Sequence, residues 1–444
     1  MRLPERPPDW FSLVRHSTEP FEVCRTPEGQ RLIQRANNKY WHWDQVRRRP
    51  LPKGWEPEVV WAALKLARTA QIRELGLRAR AGEPYWFWLP PQAQEDLHEI
   101  DKGLGGYIGI DQPESASKDQ QRFLINSLME EAIASSQLEG AATTRKVAKD
   151  MLRTERAPRT HGEQMILNNY RTIQMLRELK DHPLSEDVII DIQRSMTRDT
   201  LANPLDEGRI RNSGDRVEVV DVRDGEVLHV PPGADELAER LGALCAFANH
   251  QAEVGFVHPV VRAMLLHFWL AYDHPFVDGN GRTARALFYW SMLRSGYWLF
   301  EFLPISRIIN RAPVQYSRAF QYAESDECDA TYFVMFHLRA IRLALRDLHS
   351  YLARQQEKLR DARKLLARLP EFNYRQVALL RDALADPRRE VTMATYRGTY
   401  RVSYGTAYAD LTGLAERGML QKLRRGRQWV FYAADDLAER LRGT

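Results

Sequence analysis

The chain has 444 residues, 44% of them hydrophobic and 28% charged, with a net charge of +5 and a pI of about 9.0. That length allows two or three domains, at least one with a full hydrophobic core, and the composition excludes a disordered or membrane chain. No stretch approaches the ~20 uninterrupted apolar residues of a membrane helix, and residues 1–20 hold no signal-peptide apolar run. Three scattered cysteines (Cys24, Cys245, Cys328) with no CxxC pair argue against a disulfide framework and a structural zinc site, and they fit a reducing cytoplasm. The mild basic excess suits phosphate-bearing ligands or nucleic acid and establishes neither.

In chain order, the cluster Tyr40-Trp41-His42-Trp43 comes first and reads as core packing, through the area aromatic rings bury. Residues 51–105 read mostly helical. Apolar residues at helical spacing (Val59, Val60, Ala63, Leu64, Ala67) predict one helix over 56–81, and Pro90-Pro91 opens another over 92–102. The 3.6-residue period returns over 123–136, 160–180, 185–196, 235–250, 259–272 and 282–294. Between them, 216–230 alternates apolar and polar residues around Asp224-Gly225 and predicts a β-hairpin ending before Pro231-Pro232. A long helix over 332–369 stops at Pro370. Beyond it, helices over 371–385, 392–400 and from Ser403 to 417, then strands over 419–424 and 428–433, give the order of a winged helix-turn-helix. From residue 371 onward there are 13 Lys and Arg against 9 Asp and Glu, most of the chain's excess charge. No internal repeat occurs.

The densest chemistry lies in His274-Pro-Phe-Val-Asp-Gly-Asn-Gly-Arg-Thr-Ala-Arg285. Gly279 and Gly281 allow backbone N–H groups to converge at a helix start, which makes an anion site suited to phosphate. Asp278 is a hard oxygen ligand for Mg²⁺ beside it. Arg282 and Arg285, three apart on the following helix, can both reach a polyphosphate. His274 is the group here that titrates near neutrality, hence the candidate general base. Singly these are a surface histidine, a turn and a solvated helix face; together they fall within twelve consecutive residues. His258, His267 and His274 lack the spacing of a zinc site, and no P-loop is present.

These residues resemble the Fic family: 274–285 fits HPFx(D/E)GNGRxxR at all nine specified positions. The resemblance implies a mainly α fold, with a helical core and a β-hairpin flap, that transfers AMP from ATP, with Mg²⁺, to a Ser, Thr or Tyr hydroxyl of a target protein or of itself. It assigns His274 as base, Asp278 as Mg²⁺ ligand, and Gly279, Asn280, Gly281, Arg282, Thr283, Ala284 and Arg285 to the nucleotide's phosphates, with Arg285 on the γ-phosphate. It also makes Ser135-Ser-Gln-Leu-Glu139-Gly140 an inhibitory motif, in which Glu139 pairs with Arg285 and blocks productive ATP binding. In some relatives that Glu instead aligns water for AMP removal. The hairpin stretch Glu226, Val227, Leu228 and His229 resembles the flap that lines up the target, and Tyr316 one of two tyrosines near adenine. Ser317 stands for the second tyrosine, and Glu324 for an asparagine common in the family.

The resemblance extends to Tyr40–Asp44 and 97–101, similar to larger bacterial Fic proteins, and to the winged-helix tail. The expected domains are a helical region over 1–118, a Fic core over 119–345 with its inhibitory helix near 123–140, a linker helix over 346–370, and a winged helix over 371–444. A second expectation is a DNA-binding regulator, with the helix from Ser403 in the major groove and Arg424, Arg425 and Arg427 near the wing. A homodimer is a further expectation, and a membrane partner is not.

Overall fold

The computed structural model describes residues 3–104, 116–221, 223–366, 372–387, 389–400, 402–425 and 428–443. Two compact units divide the chain at Arg346 and Asp347.

In the first unit, helices Pro27–Lys39 and Pro57–Thr69 close over Trp41, Trp43, Val46 and Trp61. The aromatic cluster is therefore core. The helix predicted over 56–81 stops at Thr69. Beyond it the burial period changes from 3.6 to 2: Leu75 and Leu77 point inward from strand Arg73–Arg78, which pairs antiparallel with Pro84–Phe87. Gly82, at φ +98°, supplies the left-handed residue of the turn. Helical spacing up to Ala67 simply does not continue.

The helices Ala116–Leu138, His161–Leu179, Glu186–Thr197, Pro259–Asp273 and Asn280–Arg294 form the central layer. Thr160 and Ser185 accept from the backbone N–H groups of Glu163 and Val188, so the second and third of these helices begin where the capping residues dictate. Pro259–Asp273 is buried on every face, including Leu265, Leu266, Phe268 and Trp269, as expected of a helix apolar all round. It packs against Asn280–Arg294, and the six residues between them are the loop that matters. The predicted hairpin is present but shorter than its alternation, with Val219–Val220 pairing against Val227–His229.

The second unit contains helices Tyr374–Ala385, Met393–Tyr400 and Tyr404–Glu416 and strands Val391–Thr392, Leu420–Arg425 and Gln428–Ala433. The strand Gln428–Ala433 lies between the other two. Ser403 caps the third helix through Thr406 N. Its core is Leu380, Tyr396, Leu411, Leu414 and Phe431. The short strand at Val391 and the last helix, Leu437–Gly443, carry too few periodic residues to have been predicted. Arg427 lies outside the described residues.

Candidate active site

His274 ends the approach helix Pro259–Asp273 in a left-handed conformation, φ 48° and ψ 55°, with its N–H on Leu270 O at 3.0 Å. A side chain in that region is strained by about 1–2 kcal/mol, and the surroundings hold it there. Arg211 donates from Nε to His274 O at 2.8 Å, and from Nη2 to Pro232 O at 2.6 Å and Asp273 O at 3.2 Å. The backbone N–H of Arg211 reaches Pro275 O at 2.9 Å. Arg240 in turn holds the buried Asp273 carboxylate at 2.7 Å. The His274 ring donates from Nδ1 to Ala271 O at 2.9 Å, which leaves the lone pair on Nε2. Burial pushes the ring down to about 4, so it is neutral at physiological pH. A neutral imidazole with a fixed tautomer is the form that accepts a proton.

The loop after it is built from its own backbone. Phe276 is fully buried, and Asn280 clasps it by accepting from Phe276 N at 3.0 Å and donating to Phe276 O at 2.7 Å. Gly279, at φ +83°, begins the helix, and a Cβ there would stand 2.6 Å from Thr197 Cγ2. Gln193 links the loop to helix Glu186–Thr197: it donates to Asp278 O at 3.0 Å and accepts from Gly208 N at 2.6 Å. The Asp278 carboxylate stays 57% exposed at the mouth. The first N–H groups of the helix, on Asn280, Gly281 and Arg282, have no intrahelical acceptor, so they form an anion-binding end. Thr283 N–H is spent on Gly279 O at 2.9 Å, while its buried hydroxyl has no partner among the described residues; Ala284 is wholly buried within the helix. Asn280's side chain shapes the loop through its two bonds to Phe276.

The two arginines reach different places. Arg282 is buried, donates from Nη1 to Met196 O at 2.9 Å and lies 3.8 Å from Asp278. Arg285 donates from Nε to Ser135 Oγ, and from Nη2 to Ser135 O and Glu139 Oε1, each at 2.9 Å. Its guanidinium is 4% exposed, and Glu139's side chain 29%. Burial raises the Glu139 carboxyl, but Arg285, Arg282 and His274 outweigh it and hold the group below its ordinary value. Glu139 also lies across the helix start: a Cβ on Gly281 would be 2.2 Å from its Oε1. Its carboxylate thus lies against the first turn of that helix. Gly140, at φ +89°, turns the chain away just after it.

On the flap, His229 faces Glu324 Oε2 with Nδ1 at 2.8 Å and Tyr272 O with Nε2 at 2.7 Å. Val227 is exposed, while Leu228 and Glu226 are half-buried; Glu226 O accepts from Asp221 N at 2.9 Å in the hairpin turn. Tyr316 lies beside Arg285, and its hydroxyl meets His267 Nε2 at 2.8 Å. His258 caps its helix through Val260 N and meets Asp101. Arg211, Gln193 and Arg240 were not anticipated. Each lies 33 to 85 residues from its partner, and no local spacing announces such a contact.

Among the described residues no three His, Cys, Asp or Glu side chains converge as a metal cage. One exposed carboxylate beside a phosphate-sized cradle fits Mg²⁺, which binds through one or two carboxylates plus substrate phosphates.

Residues 183–292 match the model of the Fic/DOC family. A 210-residue stretch is 28% identical to the protein adenylyltransferase Fic of Nematostella vectensis, covering 46% of each chain. A 92-residue stretch is 36% identical to that of Drosophila erecta, covering 20% of this chain and 18% of the relative. The chain therefore spans about half or less of the length of these relatives. Among solved structures, a Fic family protein from Desulfovibrio desulfuricans is similar, with a TM-score of 0.53 at 20% identity over 78% of this chain and 96% of that one. A variant of a Fic-1 fragment from C. elegans gives 0.51 at 16% identity, over 77% and 91%. These two likenesses concern the fold.

Proposed function

From a chain whose residues 183–292 are a Fic/DOC family domain, we propose an enzyme that transfers AMP from ATP to a Ser, Thr or Tyr hydroxyl of a protein, itself included. One observation carries this reading: a neutral His274, its free lone pair on Nε2, adjoins a helix start flanked by Arg282, Arg285 and Asp278. His274 takes the proton as the hydroxyl oxygen attacks the α-phosphorus. The bond from α-phosphorus to the bridging oxygen breaks, pyrophosphate departs with the electron pair, and a phosphodiester remains on the protein. The N–H groups of Asn280, Gly281 and Arg282, with the Arg282 guanidinium, stabilise the charge on the transferring group. Mg²⁺ held by Asp278 would neutralise phosphate charge.

In this reading the resting enzyme is autoinhibited. Arg285, expected on the γ-phosphate, is bound to Ser135 and Glu139, and Glu139 covers the anion site. The same Glu could align water for AMP removal. The strand Val227–His229 would receive the target segment, Tyr316 would border adenine, and the protein would act in the cytoplasm, as a monomer or homodimer. Intact mass after incubation with ATP and Mg²⁺ tests this. Glu139→Gly should gain an AMP adduct at least about tenfold faster than wild type, and His274→Ala in the same background should gain none. An adduct that survives His274→Ala removes the base assignment.

A second reading concerns the C-terminal unit alone. Three helices followed by a hairpin, with Ser403 capping the third, support a winged helix-turn-helix that binds DNA.

A further inference from the structure

Tyr404 and Tyr408 stand one turn apart at the start of helix Tyr404–Glu416, 56% and 44% exposed, with ring centroids 6.4 Å apart and planes at 21°. Lys422, on the neighbouring strand, places its Nζ 5.5 Å from the Tyr408 ring and 4.5 Å from Trp429. Arg424 pairs with Trp429 across the hairpin and lies 5.8 Å from the same ring. The five side chains form one strip from helix to hairpin. Arg375, Arg381, Arg389, Arg425 and Arg440 are each held by a carboxylate. Among the described residues, none holds Lys422 or Arg424. The helix's internal acid, Asp410, is buried and bonded by Asn373, Arg375 and Tyr396, so it does not offset their charge at the surface.

We propose that this strip grips the phosphate backbone of duplex DNA without reading its bases. The proposal rests on the DNA-binding reading of this unit and specifies its face and mode. Two phenols, an indole N–H, an ammonium and a guanidinium are all donors to phosphate oxygens. Helix Tyr404–Glu416 contains no Arg, Lys, Asn or Gln, the residues that make bidentate contacts to purine edges in the major groove. The expectation that this helix reads sequence thus lacks the side chains for bidentate purine contacts. A single strand is disfavoured because bases need open ring faces. Here Lys422 lies over both Tyr408 and Trp429, and Tyr404 stacks on Tyr408.

The test uses the full-length protein and fluorescence anisotropy with labelled duplexes of about 20 base pairs and unrelated sequence. A single strand of equal length and a polyglutamate peptide complete the set. The duplexes should bind within about threefold of one another and more tightly than the other two. The double variant Lys422→Ala/Arg424→Ala should make the slope of log K against log salt shallower by about 2. Lys422→Arg/Arg424→Lys should keep the wild-type slope, which controls for misfolding. A strong preference for one duplex, for the single strand or for polyglutamate overturns the proposal. So does an unchanged slope in the alanine variant, although that result leaves DNA binding by the unit intact. No binding to any nucleic acid overturns both. AMP-adduct formation in the same variants should match the parent, so neither outcome bears on the enzyme.

Discussion

At the scale of single residues, His229 shows how a tautomer argument constrains function. Both ring nitrogens face atoms that only accept, the Tyr272 carbonyl and the Glu324 carboxylate, so both must carry protons. Burial lowers the ring's pKa, but Glu324, the Tyr272 carbonyl and Asp273 override it and raise the net value. His274, the Arg240 bound to Asp273, and the phenol of Tyr272, whose ring lies 4.7 Å from that of His229, are further charged or titratable groups nearby. A raised folded value means the latch is complete below the usual 6.5 and is lost as pH rises through the folded value. Amide exchange over 227–230, corrected for intrinsic rates, should therefore lose protection as pH rises, and Glu324→Gln should flatten that dependence. His274 runs the other way. With its pKa near 4, the acid limb of AMP transfer should lie well below pH 6.5 in a pH–rate profile. Gly281 gives a third outcome. Its added methyl in Gly281→Ala would strike Glu139, so the loss in melting temperature should shrink when Glu139→Gly is also present, a coupling read from the double-mutant cycle. The motif residues were legible because they are contiguous. The two acceptors that fix His229, and the Arg211 that fixes His274, come from distant segments and leave no mark in local spacing.

At the scale of elements, helix Ala116–Leu138 and the turn that ends it place Glu131, Ser135 and Glu139 at four-residue intervals. The last two bind Arg285. Glu131 is buried and accepts from both the N–H, at 2.9 Å, and the hydroxyl of Ser306, on helix Ile305–Asn310. Its neighbour Glu130 meets Arg145 and Lys149 on the next helix. Glu131→Ala leaves a buried N–H without its acceptor, a loss of about 1–3 kcal/mol. It should loosen the helix and raise basal AMP incorporation several-fold, less than Glu139→Gly does, in a radiolabel assay. The period of this helix was readable from sequence, and the resemblance pointed to its final residues; Glu131's partner was not visible. The strand Arg73–Arg78 was missed for a related reason. Two alternating leucines after a long helical run are too short a signal to overturn it.

At the scale of the molecule, the segment 40–68 is tied to the turn at 326–329 by a buried charge cluster. Lys65 and Arg68 meet Asp326 at 2.8 and 4.0 Å, and Tyr40 donates to Asp329 at 2.6 Å. Arg68 also donates to Tyr332, Asn37 and the Trp41 carbonyl. Arg68→Met removes one charge of a set that solvent does not reach. It should destabilise the first unit by about 3–5 kcal/mol, read as a drop in the denaturant midpoint of its transition. That turn joins helices Pro313–Ser325 and Thr331–Leu366, and the first carries Tyr316 and Glu324. The early helices were expected, but not that their cations would anchor the turn before helix Thr331–Leu366. Lys65 and Arg68 follow the buried Trp61 and Leu64 by four residues, but the acids they meet lie far along the chain and leave no mark in local spacing.

The contact between Glu139 and Gly281 carries one more implication. If carboxylate and phosphate compete for a single place, each must be displaced for the other to settle, and nucleotide affinity is reduced by the fraction of molecules already closed. The strength of one internal ion pair then sets the ATP level at which the enzyme begins to work. Any partner that draws helix Ala116–Leu138 aside would lower that threshold with no change in the chemistry: the brake would also serve as the dial of a fuel gauge.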